Sequence, residues 1–175
     1  MHYPDLTVYE YSKGYGFKIA RFFKMLNIGW LDEKHLYEKG KVSKLFLICL
    51  FILCLYPSNP SMGFHSCPFC PPTDNLMEIT KEKIGCLEVL FGSAQISVFS
   101  LTGKVYIAPN LIYHYTKYHQ YKPPNEFVIT VFYTSFFYIP LILLWYITFQ
   151  LPIYLLVGYP KFPNKRGKIR GRKNY

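Results

Sequence analysis

Residues 92–119, GSAQISVFSLTGKVYIAPNLIYHYTKYH, carry the reading that decides the fold. Ala94–Phe99 alternates in polarity and Lys104–Ile107 has the β-branched and aromatic content of a strand, with the turn-rich Ser100-Leu-Thr-Gly103 between them. Ala108-Pro109-Asn110 then reads as the opening of a helix, with Pro109 at its first position. That helix bears His114 and His119 and ends before Pro123-Pro124. Hairpin followed by helix predicts a ββα unit.

Upstream lies Cys67-Pro68-Phe69-Cys70. Two thiolates separated by two residues can hold one metal ion, because the intervening turn aims both sulfurs inward. His114 and His119, separated by four residues, fall within the spacing of zinc-binding histidine pairs. Cys67, Cys70, His114 and His119 are therefore the candidate metal ligands, and zinc the candidate metal. Four protein donors would close the coordination shell and make the ion structural, not catalytic. The 43 residues between Cys70 and His114 far exceed the linker of an ordinary two-Cys, two-His finger, so an insertion such as Pro71–Leu90 must loop out. In the plainer alternative the histidines pack beside tyrosines and the cysteines are free.

A second chemistry competes for the same cysteines. Cys67-Pro-Phe-Cys70 has the CPxC form of glutaredoxin-like proteins, which carry out thiol–disulfide exchange. Against this, Pro71-Pro72 follows where a redox helix would start, and the alternating segments of a thioredoxin-like domain are missing. Cys86 is read as pairing with either thiol or as a buried apolar residue, and Cys49 and Cys54 as inert. The sequence contains no GxSxG, Walker A, dinucleotide-glycine, HExxH or EF-hand pattern.

Downstream, Phe127–Pro160 runs without a charge. A bilayer core needs roughly 20 apolar residues as helix, so 127–158 is read as a transmembrane helix, with Pro140 and Pro152 as tolerated kinks. Glu126 stands where it can cap that helix. Lys161 to Tyr175 then carries seven bases and no acid, +7 of the formal +10. After a span, such a tail places the C-terminus in the cytoplasm. Binding of nucleic acid or anionic lipid by the tail is the lesser reading, since the aromatic interleaving of a single-strand binder is missing.

Toward the front, Leu45–Tyr56, LFLICLFILCLY, is short for a span. Three readings fit: an uncleaved anchor or signal core, a buried helix or strand, and a re-entrant piece. Before it, Phe17, Ile19, Phe22, Phe23, Leu26 and Trp30 recur near helical spacing among Lys18, Arg21 and Lys24, which predicts a short basic amphipathic helical region. With 51% hydrophobic and 17% charged residues in 175, the chain is neither a disordered polar polymer nor a solvated coiled coil.

The run from Gly92 to Phe127 resembles a small bacterial family without established activity. Its members share a Gly-Ser-Ala strand, a Tyr-x-Ala-Pro turn, a His-Tyr pair, a second His and Tyr-x-Pro-Pro-x-Glu-Phe. Here these correspond to Gly92-Ser93-Ala94, Tyr106-Ile107-Ala108-Pro109, His114-Tyr115, His119 and Tyr121–Phe127, with the CxxC upstream. The resemblance covers residues 67–127 and implies one compact module without adding a mechanism.

The expected chain is thus α+β. A basic N-terminal region (1–44) and a short hydrophobic segment (45–56) precede a zinc-finger-like ββα module (63–126), then a transmembrane helix (127–158) and a basic tail (161–175). The expected role is that of a single-pass, membrane-anchored, non-enzymatic adaptor with a structural zinc, whose partners are the lipid bilayer and an unidentified protein. An extracytoplasmic thiol–disulfide oxidoreductase is the enzymatic alternative.

Overall fold

A computed structural model of the chain describes residues 2–10, 23–60, 64–71, 80–85, 87–145 and 148. Strands β1 (Lys24–Asn27) and β2 (Asn59–Pro60) flank helix α1 (Lys44–Leu55) in sequence. A hairpin of β3 (Lys81–Ile84) and β4 (Leu87–Leu90) follows, then β5 (Ala94–Phe99), β6 (Lys104–Pro109), α2 (Ile112–Tyr118) and α3 (Asn125–Trp145).

The alternation in β5 does what a half-buried strand requires: Ala94, Ile96 and Val98 turn inward. β6 is covered on both faces. Tyr106 and Ala108 join the main core with α1 and α2, and Val105 and Ile107 join a smaller cluster with Tyr9 and Trp30. β5 and β6 pair antiparallel. The expected self-contained ββα unit is not what forms, because the hairpin is the centre of a four-stranded sheet in the order β1-β6-β5-β2. β1 lies parallel to β6, with Lys24 opposite Lys104. On its outer side the N-terminal segment supplies backbone partners, Leu6 to Asn27 at 2.8 Å and Tyr9 to Met25 at 3.0 Å, so this edge is not left open.

That arrangement corrects the helical expectation around Leu26, which sits on β1. Phe17, Ile19 and Phe22 lie outside the described residues, as do Cys86 and the basic tail. β6 also runs through Pro109, and α2 begins only at Ile112.

The short hydrophobic run becomes α1, capped by the Ser43 hydroxyl accepting from the Phe46 amide at 3.1 Å. The helix is apolar all round, and Leu45 and Ile48 on it are exposed. Phe46 and Leu50 are fully buried in the main core.

The transmembrane helix expected over 127–158 is overturned. No helix among the described residues is long and apolar enough to cross a membrane, and the single-pass topology with a cytoplasmic C-terminus falls with it. A stretch without charge is not thereby apolar: Thr130, Tyr133, Thr134, Ser135 and Pro140 interrupt this one. Phe127, Thr130, Val131, Thr134 and Ser135 form a stripe buried against protein, and the Ser135 hydroxyl donates to the Cys49 carbonyl at 3.3 Å.

The chain divides into two units, Met1–Tyr138 and Ile139–Tyr175. In the second, the described residues are the last turns of α3 and Thr148, whose hydroxyl donates to the Leu144 carbonyl at 2.8 Å.

Candidate metal centre

The two ligand pairs are brought together by backbone contacts that the sequence encodes through single residues. The segment leading into Cys67 docks on Gly92, with the His65 amide donating to its carbonyl at 2.8 Å. Gly92 has φ +94°, and a Cβ built there would stand 2.1 Å from the His65 carbonyl oxygen. Only glycine fits. Asn110, 2% exposed, accepts from the Gly92 amide at 2.7 Å and donates to the Leu90 carbonyl at 3.0 Å. This side chain therefore locks the knuckle's seat to the start of α2 and does not cap the helix.

His114 lies within α2, and His119 is the C-cap residue. The chain leaves the helix at Gln120 in the left-handed region, φ 56°. The amides of His119 and Tyr121 both return to the Tyr115 carbonyl, at 3.0 and 3.2 Å. The Tyr37 hydroxyl donates to the His119 carbonyl at 3.1 Å. Phe69 packs against the His119 ring at 5.3 Å and against Tyr115 at 5.7 Å between centroids.

Cys67, Cys70, His114 and His119 cluster closely enough to bind a metal ion, their donor atoms all within 4.8 Å of one another. Cys67 Sγ lies 3.2 Å from His119 Nε2. Cys70 Sγ lies 3.2 Å from His114 Nε2 and 3.4 Å from His119 Nε2. The two Nε2 atoms are 3.1 Å apart. Both imidazoles thus present the same nitrogen to the same point. Cys67 and His114 are buried, whereas Cys70 and His119 are half-buried.

Burial dominates the electrostatics. It pushes the Cys67 thiol up to about 11, against smaller lowering contributions from the Phe69 and Cys70 amides. Those amides turned toward sulfur are what a thiolate in a metal knuckle needs. Burial, with His119 next in importance, holds His114 down to about 4, and burial followed by Lys39 lowers His119. Both rings stay neutral, as metal ligands must. The sign for folding follows. The unfolded chain protonates His114 near 6.5 and the folded site only near 4, so stability present above pH 6.5 is lost as pH falls through this window. Protons displacing a bound metal act in the same direction. Thermal unfolding followed from pH 7.5 to 4.5 should show a falling midpoint, and a midpoint unchanged across that range would contradict this linkage.

Beside the centre, Glu82 on β3 pairs with Lys117 of α2 and accepts from the Tyr118 hydroxyl at 2.8 Å, binding the inserted hairpin to the helix. A second group, His2, Asp32 and His35, was missed by sequence reasoning. His35 Nδ1 is 2.7 Å from Asp32, and the two imidazoles are stacked at 4.1 Å with planes 4° apart. Their donor atoms and that of Asp32 lie within 4.8 Å of one another, so this group too is close enough to hold a metal ion. The only advance signal was the Asp32-x-x-His35 spacing.

Fold and cluster together define an α+β domain with a metal-competent two-Cys, two-His site. A family model described as a domain of unknown function, DUF7919, matches residues 1–132, and the chain belongs to that family. The match takes in all four ligand positions and extends to the N-terminal strand region. No curated protein and no solved structure matches the chain.

Proposed function

We propose that this DUF7919 chain binds one structural zinc ion through Cys67, Cys70, His114 and His119, and that it acts as a non-enzymatic interaction module. The mutual spacing of the four donor atoms carries the proposal. A zinc ion about 2.0–2.1 Å from each nitrogen and about 2.3 Å from each sulfur, at tetrahedral angles, sets N···N near 3.3 Å and N···S near 3.6 Å. Four of the six donor pairs, at 3.1 Å between nitrogens and 3.2 to 3.4 Å from nitrogen to sulfur, need an expansion of only about 0.4 Å or less, and the other two lie within 4.8 Å. The donor set also suits zinc: two thiolates and two neutral imidazoles leave a neutral centre, tolerable in a partly buried site. With four protein donors no position remains for substrate, so the ion's work is to cross-link.

Thiol–disulfide exchange draws less support. A nucleophilic CxxC thiol is exposed and acidic, whereas Cys67 is buried and its thiol is pushed up.

Metal analysis of the purified full chain tests the proposal. About one zinc per chain is expected, together with a cobalt-substituted form showing the intense visible bands of tetrahedral coordination and sulfur-to-cobalt charge transfer. A chain that folds without metal and is indifferent to chelators overturns it.

A further inference from the structure

His2, Asp32 and His35 come from two separate stretches of chain, each held by bonds that owe nothing to the Cys67 centre. The N-terminal stretch is pinned along β1 and the loop after it: the Tyr3 amide donates to the Trp30 carbonyl at 3.1 Å and the Leu6 amide to the Asn27 carbonyl at 2.8 Å. Between these bonds the Asp5 carboxylate accepts from the Gly29 amide at 2.8 Å and from the buried Tyr121 hydroxyl at 2.7 Å. In the loop, Asp32 Oδ1 accepts from the amides of Lys34 and His35, both at 3.1 Å. This Asx turn fixes the carboxylate and returns the His35 ring beside it.

Two imidazoles and a carboxylate thus share one place, with their donor atoms within 4.8 Å of one another. A second observation concerns His2 itself. Its Nδ1 is buried and has no hydrogen-bond partner among the described residues, and a polar atom shut away in this manner calls for an ion or an ordered water. The rearrangement that an ion needs is small. His35 Nδ1 and Asp32 Oδ1, now 2.7 Å apart in a hydrogen bond, would part to about 3.3 Å around an ion about 2.0–2.2 Å from each. The stacked rings would fan open about χ2, a broad torsion for histidine. The His35 side chain, 53% exposed, has room for that turn.

We propose that His2, Asp32 and His35 form a second metal site, which takes a divalent first-row transition ion of the zinc class. The donor set selects that class. Calcium and magnesium favour oxygen ligands throughout, and copper(I) and iron–sulfur clusters favour thiolates. Three protein ligands leave a position for water, so this ion is held less tightly than one enclosed by two thiolates and two imidazoles, and it exchanges with solution. Zinc retained through dialysis therefore counts the Cys67 centre, and this site fills when zinc is added. Its ion ties the N-terminal stretch to the loop after β1.

The test adds zinc chloride to the dialysed full chain and follows uptake by titration calorimetry. Wild type should bind one more zinc than His35→Ala, and that difference holds whether or not the Cys67 centre is filled. Partners behind a ligand are alone worth about 10–100-fold in metal affinity, so loss of the ligand itself should weaken this zinc more than about a hundredfold. His2→Gln should match His35→Ala. Asp32→Asn keeps an oxygen for the loop amides and should still weaken binding, because the charge is gone. A second readout needs no variant. In wild type, added zinc should shift the ring signals of His2 and His35 and slow hydrogen exchange at the Tyr3 amide, with the His65 ring unmoved. The proposal is overturned if wild type takes up no more zinc than His35→Ala. It is overturned equally if added zinc moves the His65 signals and leaves those of His2 and His35 in place.

Discussion

Stripping the proposed metal, by a strong chelator or by Cys67→Ser, should cost at least about 4 kcal/mol of folding stability, the linkage energy of a ligand present at a thousand times its dissociation constant. Against a total of roughly 5–15 kcal/mol for an ordinary domain, that is enough to leave a large unfolded population at physiological temperature. The loss should be local in origin. Hydrogen exchange should accelerate first in residues 64–71 and along α2, the two segments that the proposed ion would join, while β5 and β6 stay protected longer. The ligands should also differ in weight. His114→Ala removes a buried donor and creates a cavity, so zinc and fold should be lost together. His119→Ala acts on a half-buried group at the helix end and opens one coordination position that water can fill, so that variant should retain zinc weakly. Equal chelator resistance of wild type and Cys67→Ser would contradict the proposed role of the metal.

Gly92→Ala should be nearly as damaging, although it touches no ligand. Two costs combine there. The backbone at φ +94° is one that L side chains rarely adopt, and the added methyl would overlap the His65 carbonyl at 2.1 Å. Strain of the first kind is worth about 1–3 kcal/mol and overpacking another 1–3 kcal/mol, so a loss of at least about 2 kcal/mol is expected in chemical denaturation. The His65 segment must lift from its seat, so zinc affinity should fall as well. Gly85→Ala is the control: φ there is +61° but nothing lies within 4 Å, and only the conformational cost of about 1–2 kcal/mol remains. If the two variants unfold alike, the close approach at Gly92 is not what positions the knuckle.

The parts of the fold legible in the sequence were those governed by near neighbours. The alternation of β5 gave its bounds, Ala94–Phe99, and the turn after it was marked by Gly103. The clustering of Cys67, Cys70, His114 and His119 was legible because metal chemistry restricts residue type and spacing so tightly that few other residues qualify. What was not legible depended on distant partners. Lys24–Asn27 forms a strand because β6 offers it a free edge, an interaction that no local periodicity records. Pro109 ends a strand and does not start a helix, because its β5 partner Gln95 extends the ladder that far. The misreading of 127–158 had a different source. Charge alone was used as the measure of hydropathy, while the hydroxyl-bearing residues of α3 that face protein carried the opposite message. The docking of Gly92 under His65 left no trace beyond one glycine.

The parallel pairing of β1 with β6 bears on how the molecule is born. Lys24 emerges from the ribosome 80 positions before the Lys104 it will lie against. During synthesis the β6-facing edge of this strand must wait, solvated, until the β5–β6 hairpin exists to receive it. Strand β1 therefore reaches the sheet only once residue 109 has been made, and slowing translation before that point should leave it protease-sensitive in the nascent chain.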